Sequence, residues 1–170
     1  MDAIRWLDDG EQRAWRAYLR MHGQLTARLN RQLQAESGLS LADYEVLVHL
    51  SETPDGRLRP FELQRGLSWE QSRLSHHLTR MQHRGLIRRE GCTEDGRGAF
   101  VVLTGAGRRA VEAAAPGHVD TVRKLFFDGL TGDQITLLGQ LSTQVLTRLD
   151  ESTEDGLAVR PATPRHVPGC

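Results

Sequence analysis

Apolar residues recur at helical steps through most of this chain, and where the period changes the element changes with it. Trp15, Tyr18, His22, Leu25, Leu29 and Leu33 alternate at three- and four-residue intervals, while Arg13, Arg16, Arg20, Gln24 and Arg28 fall outside that stripe. Such spacing puts the first set on one face of a long helix from about 11 to 36. Gly38 suits its C-terminal cap. A second helix is predicted from Ser40, with Leu41, Tyr44, Leu47, Val48 and Leu50 as its apolar set, closed by the turn Thr53-Pro54-Asp55-Gly56. Arg57-Leu58-Arg59 has room for one short strand. Pro60 fits the first position of a helix, where its missing N–H would be unpaired anyway. That helix is expected to break at Gly66.

Ser68, followed three residues later by Gln71, has the spacing of a capping box and predicts a fourth helix from Ser68 to Arg84, closed by Gly85. Leu74, Leu78 and Met81 give it an inward face. LIRRE and AFVVL can then pair as strands around Gly91 to Gly98, with Asp95-Gly96-Arg97-Gly98 at the hairpin tip. Thr104 opens another helix, in which Pro116 predicts a kink or break near Ala115 and Gly129 the end. Thr131 and Gln134 make a further capping box, opening a last helix with Ile135, Leu138, Leu141, Val145 and Leu149 in register. From 152 to 170 the apolar period disappears, and Pro161, Pro164, Pro168 and Gly169 predict a disordered tail.

A short helix, a tight turn, a second helix and a hairpin are the layout of a winged helix-turn-helix, whose second helix enters the DNA major groove. The expected class is mainly α with a small β-hairpin wing and a flanking helical dimerisation region. The expected organisation is a dimerisation helix over 1–36, a DNA-binding lobe over 37–103, dimerisation helices over 104–151 and the tail. The flanking stripes are more apolar than a central lobe of this size can cover, so the ends are expected to pack together and against a second copy. Two copies would face successive major grooves of an inverted repeat, roughly 34–36 Å apart.

Composition sharpens this only locally. Lys plus Arg and Asp plus Glu both total 22, so net charge points to no partner. From Arg57 to Arg97, however, nine arginines face only Glu62, Glu70, Glu90, Glu94 and Asp95. A basic stretch in a neutral whole suits a DNA-reading module, although charge alone also suits an ordinary solvated face. Arg can hold guanine O6 and N7, Gln can hold adenine, and Ser or His takes a base edge or a phosphate. The DNA-contact candidates are therefore Ser68, Gln71, Ser72, Arg73, Ser75, His76 and Arg80 on the fourth helix, with Asp95 and Arg97 at the hairpin tip. There the Asp95 carboxylate can steer the Arg97 guanidinium toward a narrow, electronegative minor groove. Trp15, Tyr18, His22 and Tyr44 are candidates for a small-molecule pocket where the first helix meets the second. Core or dimer interface is the plainer reading of the same four.

Enzyme chemistry finds no footing. There is no P-loop, nucleophile elbow or dinucleotide fingerprint. Cys92 has no C-x-x-C partner, and adjacent His76 and His77 point about 100° apart on a helix, so no metal and no cofactor is expected. Two cysteines, Cys92 and Cys170, fit a reducing cytoplasm, and Cys92 beside the wing is a candidate redox sensor. The start lacks a signal peptide, and no apolar run approaches the roughly 20 residues of a membrane span. A cytoplasmic protein with no membrane partner is expected. Because some winged helices dock proteins instead of DNA, a protein-interaction module is the alternative.

The run Leu86-Ile87-Arg88-Arg89 after Gly85, the tip Asp95-Gly96-Arg97-Gly98, and Val101-Val102-Leu103-Thr104 with Gly107 resemble the MarR family of bacterial transcription regulators. Leu130-Thr131 with Gln134, Leu137 and Leu138 is similar to the family's final helix, and the likeness covers about 11 to 149. The resemblance implies a homodimer of winged subunits on double-stranded DNA, usually a repressor. Such proteins commonly release DNA when a small aromatic effector binds, or in some members when a cysteine is oxidised. It puts major-groove contacts on Ser72, Arg73, Ser75 and His76, and the wing contact on Arg97 supported by Asp95. The chain departs from the family's pattern at Trp69 and Glu70, where small or basic residues are common, and at His77, which replaces an inner aliphatic.

Overall fold

A computed structural model describes residues 4–91 and 99–156, with side chains to Glu151. In chain order the elements are α1 (Asp9–Ser37), α2 (Leu41–Ser51), β1 (Arg57–Leu58), α3 (Pro60–Leu67), α4 (Gln71–His83), β2 (Ile87–Gly91), β3 (Ala99–Leu103), α5 (Gly105–Val122), a π-helical turn (Arg123–Phe127) and α6 (Gly132–Gly156). They fall into two units, the first ending at Val122 and the second starting at Arg123.

In the first unit, α1 begins at a reciprocal cap: Asp8 accepts from the Glu11 N–H at 2.8 Å and Glu11 accepts from the Asp8 N–H at 2.9 Å. It ends at Gly38, whose φ of 68° is the left-handed conformation that glycine adopts without penalty. Its stripe is buried only in the C-terminal half, at Leu29 and Leu33, whereas Trp15, Tyr18 and His22 are exposed. Leu33, Leu47, Leu50, Leu63, Leu78, Met81, Ile87 and Val101 make the inaccessible centre, drawn from α1 to α4 and the sheet. The sheet is antiparallel with order β1-β3-β2. Its register pairs Arg57 with Val102, and runs from Ile87 opposite Leu103 to Gly91 opposite Ala99.

Three sequence expectations need correction. The third helix does not break at Gly66 but continues to Leu67. A Cβ at Gly66 would lie 2.8 Å from the His49 ring, so this glycine allows α2 and α3 to approach closely and ends nothing. Ser68 is not the N-cap of the fourth helix. It adopts φ 51°, and its N–H bonds to the Arg65 carbonyl, ending α3; Glu70 is the N-cap of α4 and makes no side-chain cap. The turn must bury Trp69 within three residues, and that tertiary demand outweighs the local Ser–Gln spacing. Pro116 neither breaks nor ends α5, which runs on to Val122 before the π-helical turn. Val111 and Ala114 are buried on one side of Pro116, and Gly117 lies against Glu36 and Gln32 of α1 on the other, so packing sustains the helix there.

In the second unit the predicted cap is present: Thr131 N–H donates to Gln134 at 2.9 Å and Gln134 N–H to the Thr131 hydroxyl at 3.3 Å. Helix α6 outlasts its apolar period and continues to Gly156, past the expected start of the tail at 152. Residues 157–170, with Cys170, lie outside the described residues. Among the described residues, no helix is long and apolar enough to cross a membrane.

Candidate nucleic-acid interface

Helix α4 has two sharply different sides. Leu74, His77, Leu78 and Met81, at the i, i+3, i+4, i+7 positions, are buried. Gln71, Ser72, Arg73, Ser75, His76 and Arg80 are exposed, so one helix surface carries six of the predicted contact residues. Ser68 is exposed in the turn before it. Asp95 and Arg97, the tip candidates, lie outside the described residues, as does Cys92.

Beneath that surface is a connected set of polar contacts. The Arg73 guanidinium lies 4.3 Å from the centre of the Trp69 ring, which is itself edge-on to His77 at 5.3 Å. Arg80 Nη2 is 3.0 Å from His77 Nδ1. A guanidinium can only donate, so Nδ1 accepts and the ring proton belongs on Nε2. Nε2 in turn faces Asp43 Oδ1 at 3.1 Å, a polar contact between the ring N–H and the carboxylate. The other Asp43 oxygen accepts from Arg84 Nη1 at 2.6 Å and from the Ser40 N–H at 2.9 Å. Arg84 also donates to the Gly38 carbonyl at 2.8 Å. Burial alone would raise the Asp43 pKa, but hydrogen bonds from His77, the Ser40 backbone, Arg84 and the Ser40 hydroxyl outweigh it. The carboxylate is held well below its usual range. Two residues along α2, half-buried Glu45 is pushed up by desolvation, opposed by nearby Arg73, His49 and His77.

The sheet is tied to the same helix. Arg89 of β2 donates to the Ser75 carbonyl at 3.4 Å and to the Thr79 hydroxyl at 3.3 Å. Arg59 and Arg57 both lie over the Phe100 ring, at 4.0 and 4.6 Å, and Arg88 pairs with Glu90 at 2.6 Å. Sequence reasoning missed Asp43, Arg84 and Arg89 as supports. Only Asp43 left a signal: the Ser40-x-x-Asp43 spacing of a capping box, with an acid inside an apolar run.

The four pocket candidates do not form one set. Trp15 stacks on Tyr18 at 5.8 Å and Tyr18 on His22 at 6.1 Å, along the exposed part of α1. Tyr44 is buried and finds its ring partner in His118 of α5, at 4.5 Å. The reason is that α1 is buried only from Leu29 onward, leaving its aromatic half outside the core that holds Tyr44. No group of three or more His, Cys, Asp or Glu among the described residues is placed to hold a metal ion.

Residues 37–98 match the model of the MarR family. The fold is shared with AbsC, a MarR family transcriptional regulator from Streptomyces coelicolor: identity is 41%, TM-score 0.81, and the match covers 87% of this chain and 99% of that one. Sco3205, a MarR family transcriptional regulator from the same organism solved in complex with DNA, is 42% identical with TM-score 0.81, over 85% of this chain and 94% of its own. The transcriptional regulator HosA of Escherichia coli O111:H- is 38% identical over 73 residues, 43% of this chain, and the match spans about half (53%) of HosA. With this family model over the helix-turn-helix and near-complete coverage of solved members, the chain belongs to the MarR family of transcriptional regulators, DNA-binding regulators and not enzymes.

Proposed function

We propose that this chain is a homodimeric repressor that reads an inverted repeat in double-stranded DNA and releases it when a small aromatic effector binds. The exposed polar edge of α4, from Gln71 to Arg80 over a buried apolar base, carries the DNA reading. Sco3205, whose likeness covers 85% of this chain, is a DNA-bound example of the same fold. Dimerisation is supported by apolar faces exposed in each unit: Trp15, Tyr18 and Leu19 on α1, and Leu137, Leu141 and Val145 on α6.

Replacing Arg73 with Ala is expected to weaken binding to the preferred duplex by about 1–3 kcal/mol and to relax the choice at one base pair. Arg97→Ala, at the proposed wing contact, is expected to weaken binding by a similar amount. Titration of wild type and variants against the preferred duplex and its single-base variants measures both. Unchanged binding and unchanged base preference in both variants would remove these residues from the interface.

The effector reading is supported by two buried polar atoms with no hydrogen-bond partner, Gln32 Oε1 on α1 and His118 Nδ1 on α5, the latter ring tilted against Tyr44. Burial lowers the His118 pKa, favouring its neutral form, and leaves Nδ1 available to a ligand. A thermal-shift screen with small aromatic acids tests this through linked stabilisation. Stabilisation by benzoate-like acids that Tyr44→Ala abolishes is the expected result; no shift with any of them counts against an effector of this class.

A further inference from the structure

We propose that His77 is a positioning residue for base reading. From beneath α4 it fixes Arg80 through Nδ1 and braces Trp69, the platform that holds Arg73. The inference rests on the DNA reading above and names the device that aims its two arginines.

His77 occupies an inward position shared with Leu74, Leu78 and Met81, where an aliphatic side chain fills space without needing partners. The imidazole adds direction. Its two nitrogens face different groups, Arg80 on the exposed side and Asp43 on the buried side, and Asp43 is held by Ser40 and Arg84. The charged and titratable groups around the ring are Asp43 and Glu45 from α2, with Arg73, Arg80 and Arg84 from its own helix. Arg80 gives one N–H to His77 and keeps its others for a phosphate or base edge. Arg73, held over the Trp69 ring, keeps its N–H donors for a guanine. A long flexible side chain ordered before binding does not lose that freedom on binding.

The test uses the full chain as wild type, His77→Leu and His77→Gln. Each is titrated at fixed salt and neutral pH against the duplex that wild type selects best from a random pool, and against a scrambled duplex of equal length. Folded His77→Leu is expected to lose about tenfold in the ratio of selected to scrambled affinity, the scale of ordering two long side chains at binding. Its scrambled-duplex affinity and salt slope should stay at wild-type values. His77→Gln retains an acceptor and a donor, so it is expected to recover most of the ratio. A folded His77→Leu with the wild-type ratio would overturn the proposal. So would a folded His77→Gln that loses about tenfold in the ratio, which decides the matter if the Leu variant fails to fold. A wild type that selects no duplex would overturn the DNA reading itself, and this inference with it.

Discussion

Replacing Asp43 with Ala is expected to destabilise the first unit by about 3 kcal/mol, the cost of leaving the buried His77 Nε2–H and the Ser40 N–H unpaired and Arg84 without its carboxylate. The side chain is 5% exposed, yet it serves three neighbours at once: His77, Arg84 and the Ser40 N–H. Without it, α2 loses its reciprocal cap, Arg84 keeps only the Gly38 carbonyl, and His77 Nε2 faces an empty buried site. Asn at this position can still accept from Ser40 and is expected to cost less than Ala. Because the Asp43 pKa in the folded chain lies below its unfolded value, its stabilisation is complete above the ordinary carboxylate pKa of about 4. It is lost as pH falls from there toward the lower folded value. Urea unfolding of wild type and Asp43→Ala from neutral to acid pH reads both effects. A gap that narrows with acidification is the expected result. A difference below about 1 kcal/mol at neutral pH would place Asp43 among ordinary surface pairs.

Gly107→Ala is expected to destabilise by about 3 kcal/mol through overpacking, although the helix alone would favour the change. In a solvent-exposed helix, Ala is preferred to Gly by about 1 kcal/mol. Here a Cβ would overlap the Leu86 carbonyl oxygen and come within 2.9 Å of Leu103 Cδ1. That carbonyl cannot simply retreat, since it accepts from the Thr104 N–H at 3.2 Å and its hydroxyl at 2.9 Å. The same hydroxyl caps the Gly107 N–H at 3.0 Å. Pushing α5 away therefore loosens the junction of β2, β3 and the helix start that ties the wing to the core. A thermal melt decides the sign, and a stabilised variant would contradict the close contact.

What could be read in the sequence was what is local. Three- and four-residue apolar steps placed the helices, two short segments flanking the glycine-bounded turn placed the hairpin strands, and Thr131 with Gln134 marked a true cap. The errors came where a local signal met a tertiary demand. Ser68 has the spacing of a cap, but burying Trp69 turns it into the end of the previous helix. Gly66 and Pro116 look like breakers, yet one sits against His49 and the other in a helix held to α1. On the site, the exposed edge of α4 was legible because helical spacing alone separates Arg73 and His76 from Leu74 and Leu78. Its supports were not. Arg84 meets Asp43 across 41 residues of sequence, and no periodicity encodes a pairing at that separation. Trp69 and His77 stood out only as departures from the family's pattern, and their contacts with Arg73 and Arg80 supply a reason for them.

The central claim is that the exposed edge of α4, presented twice by a symmetric dimer, reads base sequence. Footprinting of the wild-type chain on its own upstream region, at two salt concentrations, tests it most directly. The expected result is protection of an inverted repeat whose half-site centres lie about one helical turn, 34–36 Å, or a multiple of it apart. Affinity in the nanomolar range or tighter, falling linearly with the logarithm of salt, is expected alongside. Equal protection of every duplex, or none at low salt, would contradict it.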